Sequence, residues 1–251
     1  MFNLTNKTAL VLGSTRGLGK AIATSMSEAG ARVATCSRNK GDAQIVADEI
    51  GNGAMGFTCD ITDSTSVEAV VADVVGEFGH IDILVCNAAS NILGTPSEMN
   101  DDLWLRVIST ELTGYFYAAR AAGKHMIERK SGSIIMVSAN SSEVGYHELV
   151  GVATAKGGVD MMARNLAVEW GSYNVRVNTI NPGFTEHVPD DGADVTPSGE
   201  GDLEEEIRRT TPMQRRGRVE EIAAPAVFLA SDAASFVTGQ NIRVDGGYAI
   251  M

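Results

Sequence analysis

Seven short apolar runs, separated by helical or polar stretches, constrain the fold of this chain more than any other feature. They are Thr8 to Leu12, Arg32 to Ser37, Ala54 to Cys59, Ile81 to Cys86, Ser133 to Ser138, Val175 to Asn181 and Asn241 to Val244. Each is apolar throughout rather than alternating, the pattern of a strand covered on both faces in a parallel sheet. After the first run, Leu18, Ile22 and Met26 recur on one helical face and Gly30 supplies a stop. Longer helical patterns run from Asp101 to Arg129 and from Ala153 to Trp170. No repeat or linker divides the chain. The order predicts one doubly wound α/β domain over residues 1–251, with a seven-stranded parallel sheet.

Composition narrows the function. Asp and Glu number 32 against 20 Lys and Arg, and a net charge of −12 opposes nucleic-acid binding, which needs a cationic face. The three cysteines, Cys36, Cys59 and Cys86, are odd in number and lack paired zinc spacing, so they read as buried reduced thiols. No cluster of His, Cys and carboxylate suggests a metal. No apolar run approaches the roughly 18 to 20 residues that cross a bilayer, and the N-terminus runs straight into a strand. A cytoplasmic protein without membrane contact is expected.

The first strand leads into Gly13-Ser14-Thr15-Arg16-Gly17-Leu18-Gly19 and then a helix. Glycines let a backbone turn tightly and approach a pyrophosphate, which the free N–H groups of the helix then attract. The spacing is GxxxGxG rather than the general GxGxxG fingerprint. About twenty residues further on, an NAD site usually presents a carboxylate to the ribose. This chain has Ser37-Arg38 there, so Arg38 and Arg16 are candidates to pair with a 2′-phosphate, which predicts NADP(H). Asp60, followed by Ile61, either accepts from an adenine amine or caps the next turn. Beyond Pro182-Gly183, residues 184–211 form a long excursion with an acidic run, read as a substrate lid or as a solvated insertion that starts a short helix.

Together these motifs resemble the short-chain dehydrogenase/reductase family, especially the oxoacyl-carrier-protein reductases and related carbonyl reductases. The resemblance spans essentially the whole chain. It also includes Asn87-Ala88-Ala89, Leu112-Thr113-Gly114, Lys156, Val175-Arg176-Val177-Asn178, Asn181-Pro182-Gly183, Val237-Thr238-Gly239-Gln240 and Asp245-Gly246-Gly247. It implies a Rossmann-like fold and an NADP(H) site lined by Gly13, Thr15, Arg16, Gly17, Leu18, Gly19, Ser37, Arg38, Asp60, Ile61, Asn87, Ala88, Lys156, Pro182, Gly183 and Thr185. It also implies a small-molecule substrate and a homodimer or homotetramer.

The family's catalytic set is a tyrosine acid or base, a lysine beside it, a serine that polarises the carbonyl and an asparagine in the proton relay. Aligned on Lys156, the tyrosine position is Val152, the serine position Ala139 and the asparagine position Glu111. The family's carboxamide-binding threonine falls at His187, with Thr185 two residues earlier. Valine exchanges no proton and alanine polarises no carbonyl. Candidate replacements are Glu111, as a base or as a structural ion pair with Lys156, and Tyr146 and His147 in the loop before the helix of Lys156. Ser138, one residue from the serine position, is expected to face the other way. Three readings stay open: an NADP(H)-dependent oxidoreductase with a non-standard site, a non-redox catalyst of elimination, isomerisation or cyclisation, and a catalytically silent binding or partner subunit.

Overall fold

The computed structural model describes residues 2–90, 92–186 and 200–251. In chain order the elements are β1 (Thr8–Leu12), α1 (Gly17–Glu28), β2 (Arg32–Ser37), α2 (Lys40–Ile50), β3 (Met55–Thr58), α3 (Ser64–Phe78), β4 (Ile83–Cys86), α4 (Asp101–Ile108), α5 (Gly114–Arg129), β5 (Gly132–Val137), α6 (Val150–Trp170), β6 (Val175–Pro182), α7 (Glu200–Thr210), α8 (Val219–Ala230) and β7 (Asn241–Val244). All seven expected strands are present; β1, β2 and β7 keep the expected bounds and the others shift by one or two residues at an end. They form a single parallel sheet in the order β3-β2-β1-β4-β5-β6-β7.

Continuous apolar strands supply two cores. Because side chains alternate across a strand, Ala9 and Val11 of β1 face one helical layer while Leu10 and Leu12 face the other. The first set joins Val33, Ile83, Val85, Ile135 and Ile180 against α1 and α8. The second joins Cys36, Leu84, Cys86, Ile134, Met136 and Val177 against α3, α5 and α6. Each large side chain removed from water in this way contributes about 1.5–3 kcal/mol. The three cysteines are free and buried, as expected.

The sheet order reverses between β1 and β4, which opens a crevice beyond their C-terminal ends. At its floor, the Asn87 side-chain amide donates to the Gly13 carbonyl at 2.8 Å, and the Asn87 N–H donates to Leu12 O at 3.1 Å.

One element departs from expectation. The stretch from Asp101 to Arg129 is not one regular helix: a π-helical turn, Ser109–Thr113, separates α4 from α5. Such a turn carries an extra residue, which advances the following side chains by roughly 100° relative to an unbroken 3.6-residue helix. Just past it, a Cβ on Gly114 would lie 2.7 Å from the Ile61 side chain and 2.8 Å from its carbonyl. The helix therefore lies directly on the chain leaving β3. Gly114→Ala is expected to cost about 1–3 kcal/mol through overpacking, read as a lower urea midpoint at unchanged slope. An unchanged midpoint would show that the contact relaxes freely.

Candidate functional site

The glycine turn is tightest where backbones meet. Gly13 has φ +77°, and a Cβ there would sit 2.8 Å from the Ala88 backbone; at Gly19 it would sit 2.0 Å from Gly13 O and 2.5 Å from the Asn87 amide. Only glycine lets this turn close onto the chain after β4. Ser14, which the sequence reading passed over, is buried and accepts the Cys36 N–H at 2.7 Å, which extends the contact of β1 with β2.

Gly17, by contrast, has φ +52° and nothing within 4 Å of an added Cβ, so the outer side of the turn is open. Asn39, Asp63 and Asn100 cap α2, α3 and α4 with side-chain oxygens. The N-cap of α1 is Arg16, which makes no side-chain cap. An open glycine turn leading to uncapped amides fits a dinucleotide pyrophosphate.

At the adenosine end, Ser37 is half-buried and Arg38 exposed, with no carboxylate between them and Asn39. The Ser37 hydroxyl donates to Asn39 O at 2.6 Å. Asp60 caps the turn after β3 with one carboxylate oxygen, which accepts the Thr62 N–H at 2.9 Å and the Thr62 hydroxyl at 2.7 Å. These bonds, with a smaller contribution from the charge of Arg38, hold its carboxyl below the usual aspartate range. Ile61 is buried. At the far end, Gly183 approaches the backbone of Asp245, to which an added Cβ would come within 2.7 Å. The Thr185 hydroxyl donates to Gly183 O at 3.1 Å. His187 and residues 187–199 of the expected lid lie outside the described residues. From residue 200 the acidic run forms α7, which buries Leu203 and Ile207.

The centre of the site is a buried ion pair. Lys156, 4% exposed, directs its ammonium into the protein, to Val137 O at 2.9 Å, the Tyr115 hydroxyl at 3.4 Å and Glu111 Oε2 at 3.3 Å. Those three acceptors match its three N–H bonds. Glu111, 1% exposed on the π turn, accepts at Oε1 from the Ser90 N–H at 3.0 Å and the Ser90 hydroxyl at 2.6 Å. Tyr115, fully buried and one turn beyond Glu111, donates to Val137 O at 3.3 Å; burial pushes its phenol well above the ordinary value. Burial likewise raises the Cys86 thiol, against the opposing charge of Lys156. This thiol is an inert core group.

The other candidates do not join this pair. Ala139 and Val152 are half-buried. The Ser138 hydroxyl donates to the Lys156 carbonyl at 3.3 Å, turned onto α6 as strand alternation requires. His147 is exposed. Tyr146 accepts from the Asn140 amide at 2.6 Å, stacks on Tyr248 at 5.3 Å and meets Phe184 edge-on at 6.2 Å. Burial, and then its contact with Tyr248, raise the Tyr146 phenol, so it is protonated at neutral pH. Sequence reasoning missed Ser90 and Tyr115. The four-residue spacing from Glu111 to Tyr115 was a usable signal, whereas Ser90 carried none.

Removing one partner of a buried pair strands the other charge. Glu111→Ala is therefore expected to destabilise the protein by about 3–5 kcal/mol, and Glu111→Gln, which keeps a hydrogen-bonding group, by less. Chemical denaturation checks both. A loss from Glu111→Ala no larger than that of an exposed glutamate would show that Lys156 finds water instead.

The family profile described as enoyl-(acyl carrier protein) reductase matches residues 13–249. The chain is 38% identical to a D-threitol dehydrogenase of Mycolicibacterium smegmatis, over 99% of this chain and 95% of that one. It is 34% identical to a 3-oxoacyl-(acyl-carrier-protein) reductase of Escherichia coli, over 98% of each. Among solved structures, a gluconate 5-dehydrogenase from Burkholderia cenocepacia, in complex with NADP and tartrate, superimposes with a TM-score of 0.93 at 31% identity, covering 100% of this chain and 98% of that one. A short-chain type dehydrogenase/reductase from Mycobacterium marinum gives a TM-score of 0.90 at 34% identity, with coverage of 98% and 97%. With a matching profile over nearly its whole length and relatives above 30% identity across it, the chain belongs to the short-chain dehydrogenase/reductase family.

Proposed function

We propose that this chain is an NADP(H)-dependent oxidoreductase whose proton handling has moved from the family's tyrosine and serine positions to the Glu111–Lys156 pair. The carrying observation is the three-glycine turn at the reversal point of the sheet, open on its outer side and leading into the uncapped α1. The NADP complex of the related gluconate 5-dehydrogenase supports the choice of cofactor. When bound, the cofactor supplies or accepts the hydride. In this reading Gly13, Thr15, Gly17, Leu18 and Gly19 hold the pyrophosphate, and Arg16 and Arg38 the 2′-phosphate. Asp60 and Ile61 border the adenine, Asn87 and Ala88 the ribose, and Pro182, Gly183 and Thr185 the carboxamide. Tyr146 and His147 line the substrate side. The substrate is a small carbonyl, imine or activated alkene, or the corresponding reduced compound, and relatives named as dehydrogenases of threitol and gluconate favour small hydroxylated compounds.

The exposed Leu105 and Phe116 on α4 and α5, and Val168 and Phe236 elsewhere, support a homodimer or homotetramer. No described helix is long and apolar enough to cross a membrane, which accords with the proposed cytoplasmic location.

A second reading rests on a specific observation. Neither Val152 nor Ala139 carries an exchangeable proton, and the Lys156 ammonium is satisfied within the protein, which suits a chain that holds the nucleotide without hydride transfer. Titration with NADPH and NADH, followed by a screen for NADPH oxidation, separates the two: binding without consumption favours the second, and no binding rejects both.

Arg38→Ala is expected to weaken NADPH binding by about 10- to 100-fold, the worth of charged hydrogen bonds, and NADH binding little. Equal losses would reject the 2′-phosphate role. The double variant Val152→Tyr with Ala139→Ser is expected to gain reduction of an activated ketone. A folded, cofactor-binding double variant with no gain would mean that Glu111 or the pocket blocks the family's ordinary route.

A further inference from the structure

The Glu111–Lys156 pair is sealed on almost every side. Lys156 meets Val137 O and the fully buried Tyr115 hydroxyl, and Cys86, also fully buried, lies within electrostatic reach. Among the described residues, the one partner of the pair that is itself part-exposed is Ser90, which follows the exposed Ala89 on the chain leaving β4 at the crevice. Its hydroxyl and N–H both end on Glu111 Oε1, while Oε2 faces the ammonium. Hydrogen bonds therefore run in one line from the crevice to the buried ammonium: Ser90 Oγ, Glu111, Lys156 and Tyr115.

We propose that the Ser90 hydroxyl is the proton port of this site, the group through which the buried Glu111–Lys156 pair exchanges protons with the crevice and with the substrate in it. Its place in turnover rests on the oxidoreductase reading above. In carbonyl reduction the hydride, which carries both electrons, comes from the reduced nicotinamide dinucleotide: a C–H bond of the dinucleotide breaks, one forms at the carbonyl carbon, and the carbonyl π pair becomes an oxygen lone pair. The Lys156 ammonium passes a proton to Glu111 Oε2, and rotation of the carboxyl presents that proton to Ser90 Oγ, whose own O–H turns from Glu111 to the substrate; the substrate oxygen takes the Ser90 proton as Ser90 Oγ takes the one from Glu111. Lys156 is left neutral and regains its proton from solvent through Ser90 once product has left. Oxidation runs the same transfers in reverse.

A structural and a relaying hydroxyl predict opposite signs. If Ser90 only braces Glu111, truncating it admits water and quickens proton exchange at the pair. If it is the port, truncation closes the one hydrogen-bonded exit. The experiment follows exchange of the Lys156 ammonium protons with water by proton–nitrogen correlation spectroscopy, in the wild type, Ser90→Ala and Ser90→Thr. The expected result is slowing by about tenfold or more in Ser90→Ala, the low side of what a positioned proton-transfer group contributes, with recovery in Ser90→Thr. Equal or faster exchange in Ser90→Ala overturns the proposal. Should Ser90→Ala not fold, Ser90→Cys keeps the bulk and weakens the donor, and the same slowing is required of it.

NADPH binding and consumption are measured on the same samples. Slowed exchange in a protein that consumes no NADPH overturns the oxidoreductase reading and leaves Ser90 as the port. Consumption of NADPH with unslowed exchange in Ser90→Ala overturns the port alone.

Discussion

Two opposite charges 3.3 Å apart and almost wholly removed from water tie together the elements that surround the site. Desolvating an ammonium and a carboxylate costs several kcal/mol each, and the pair persists only where geometry and further hydrogen bonds offset that cost. Here the offset comes from four places in the chain: Ser90 after β4, Tyr115 on α5, the Val137 carbonyl at the end of β5, and α6, which carries the lysine. The π-helical turn supplies the last requirement. It seats Glu111 facing inward next to a glycine whose missing Cβ lets the helix lie on Ile61. A regular helix through residues 109–113 would aim the following side chains differently and change which of them reach Lys156.

The glycine turn answers a different constraint. At the reversal of the sheet, the chain segments leaving the paired β1 and β4 must part without leaving unpaired backbone groups in a dry interior. Asn87 meets that need by donating to Gly13 O, and Gly19 leaves room for the contact. Asn87 thus braces the glycine turn. The same economy appears at Asn181, whose amide donates to the Ser142 hydroxyl and to buried Asp160, pinning the end of β6 to α6.

Most of the fold was legible in the sequence because strands covered on both faces leave uninterrupted apolar runs, and the glycine turn was legible because few other sequences close a strand onto a helix. The break in the long helix was not. Residues 109–113 keep the composition of an ordinary helix, and only the packing of Gly114 on Ile61 shows why the chain departs from one. Direction was equally hidden at Lys156, where the buried hydroxyl of Tyr115 and a main-chain carbonyl fix the side chain, contacts that exist only once β5 and α6 are paired. Tyr146 stood close to the site in sequence, yet the aromatic faces of Tyr248 and Phe184, brought in from distant segments, draw it into a separate cluster. Ser90 lacked any signal, because its meaning comes from a carboxylate 21 residues away that folding alone sets beside it.

On the proposed reading, the residues at positions 111, 139 and 152 make one physical pattern. Val152 and Lys156 stand one turn apart on α6, the valine half-buried and without a titratable group, the lysine buried. A lone ammonium at that depth is untenable. Glu111 supplies the opposite charge. Ala139 adds no competing donor to draw either partner outward. Strong pairing in a dry setting has its own consequence, because a proton held there exchanges only along hydrogen bonds already formed. The 2.6 Å bond from Ser90 to Glu111 is the member of that network with one end at the crevice. On the proposed reading, proton chemistry lies inward at Glu111 and Lys156, and the serine after β4 is the group that connects it to the crevice.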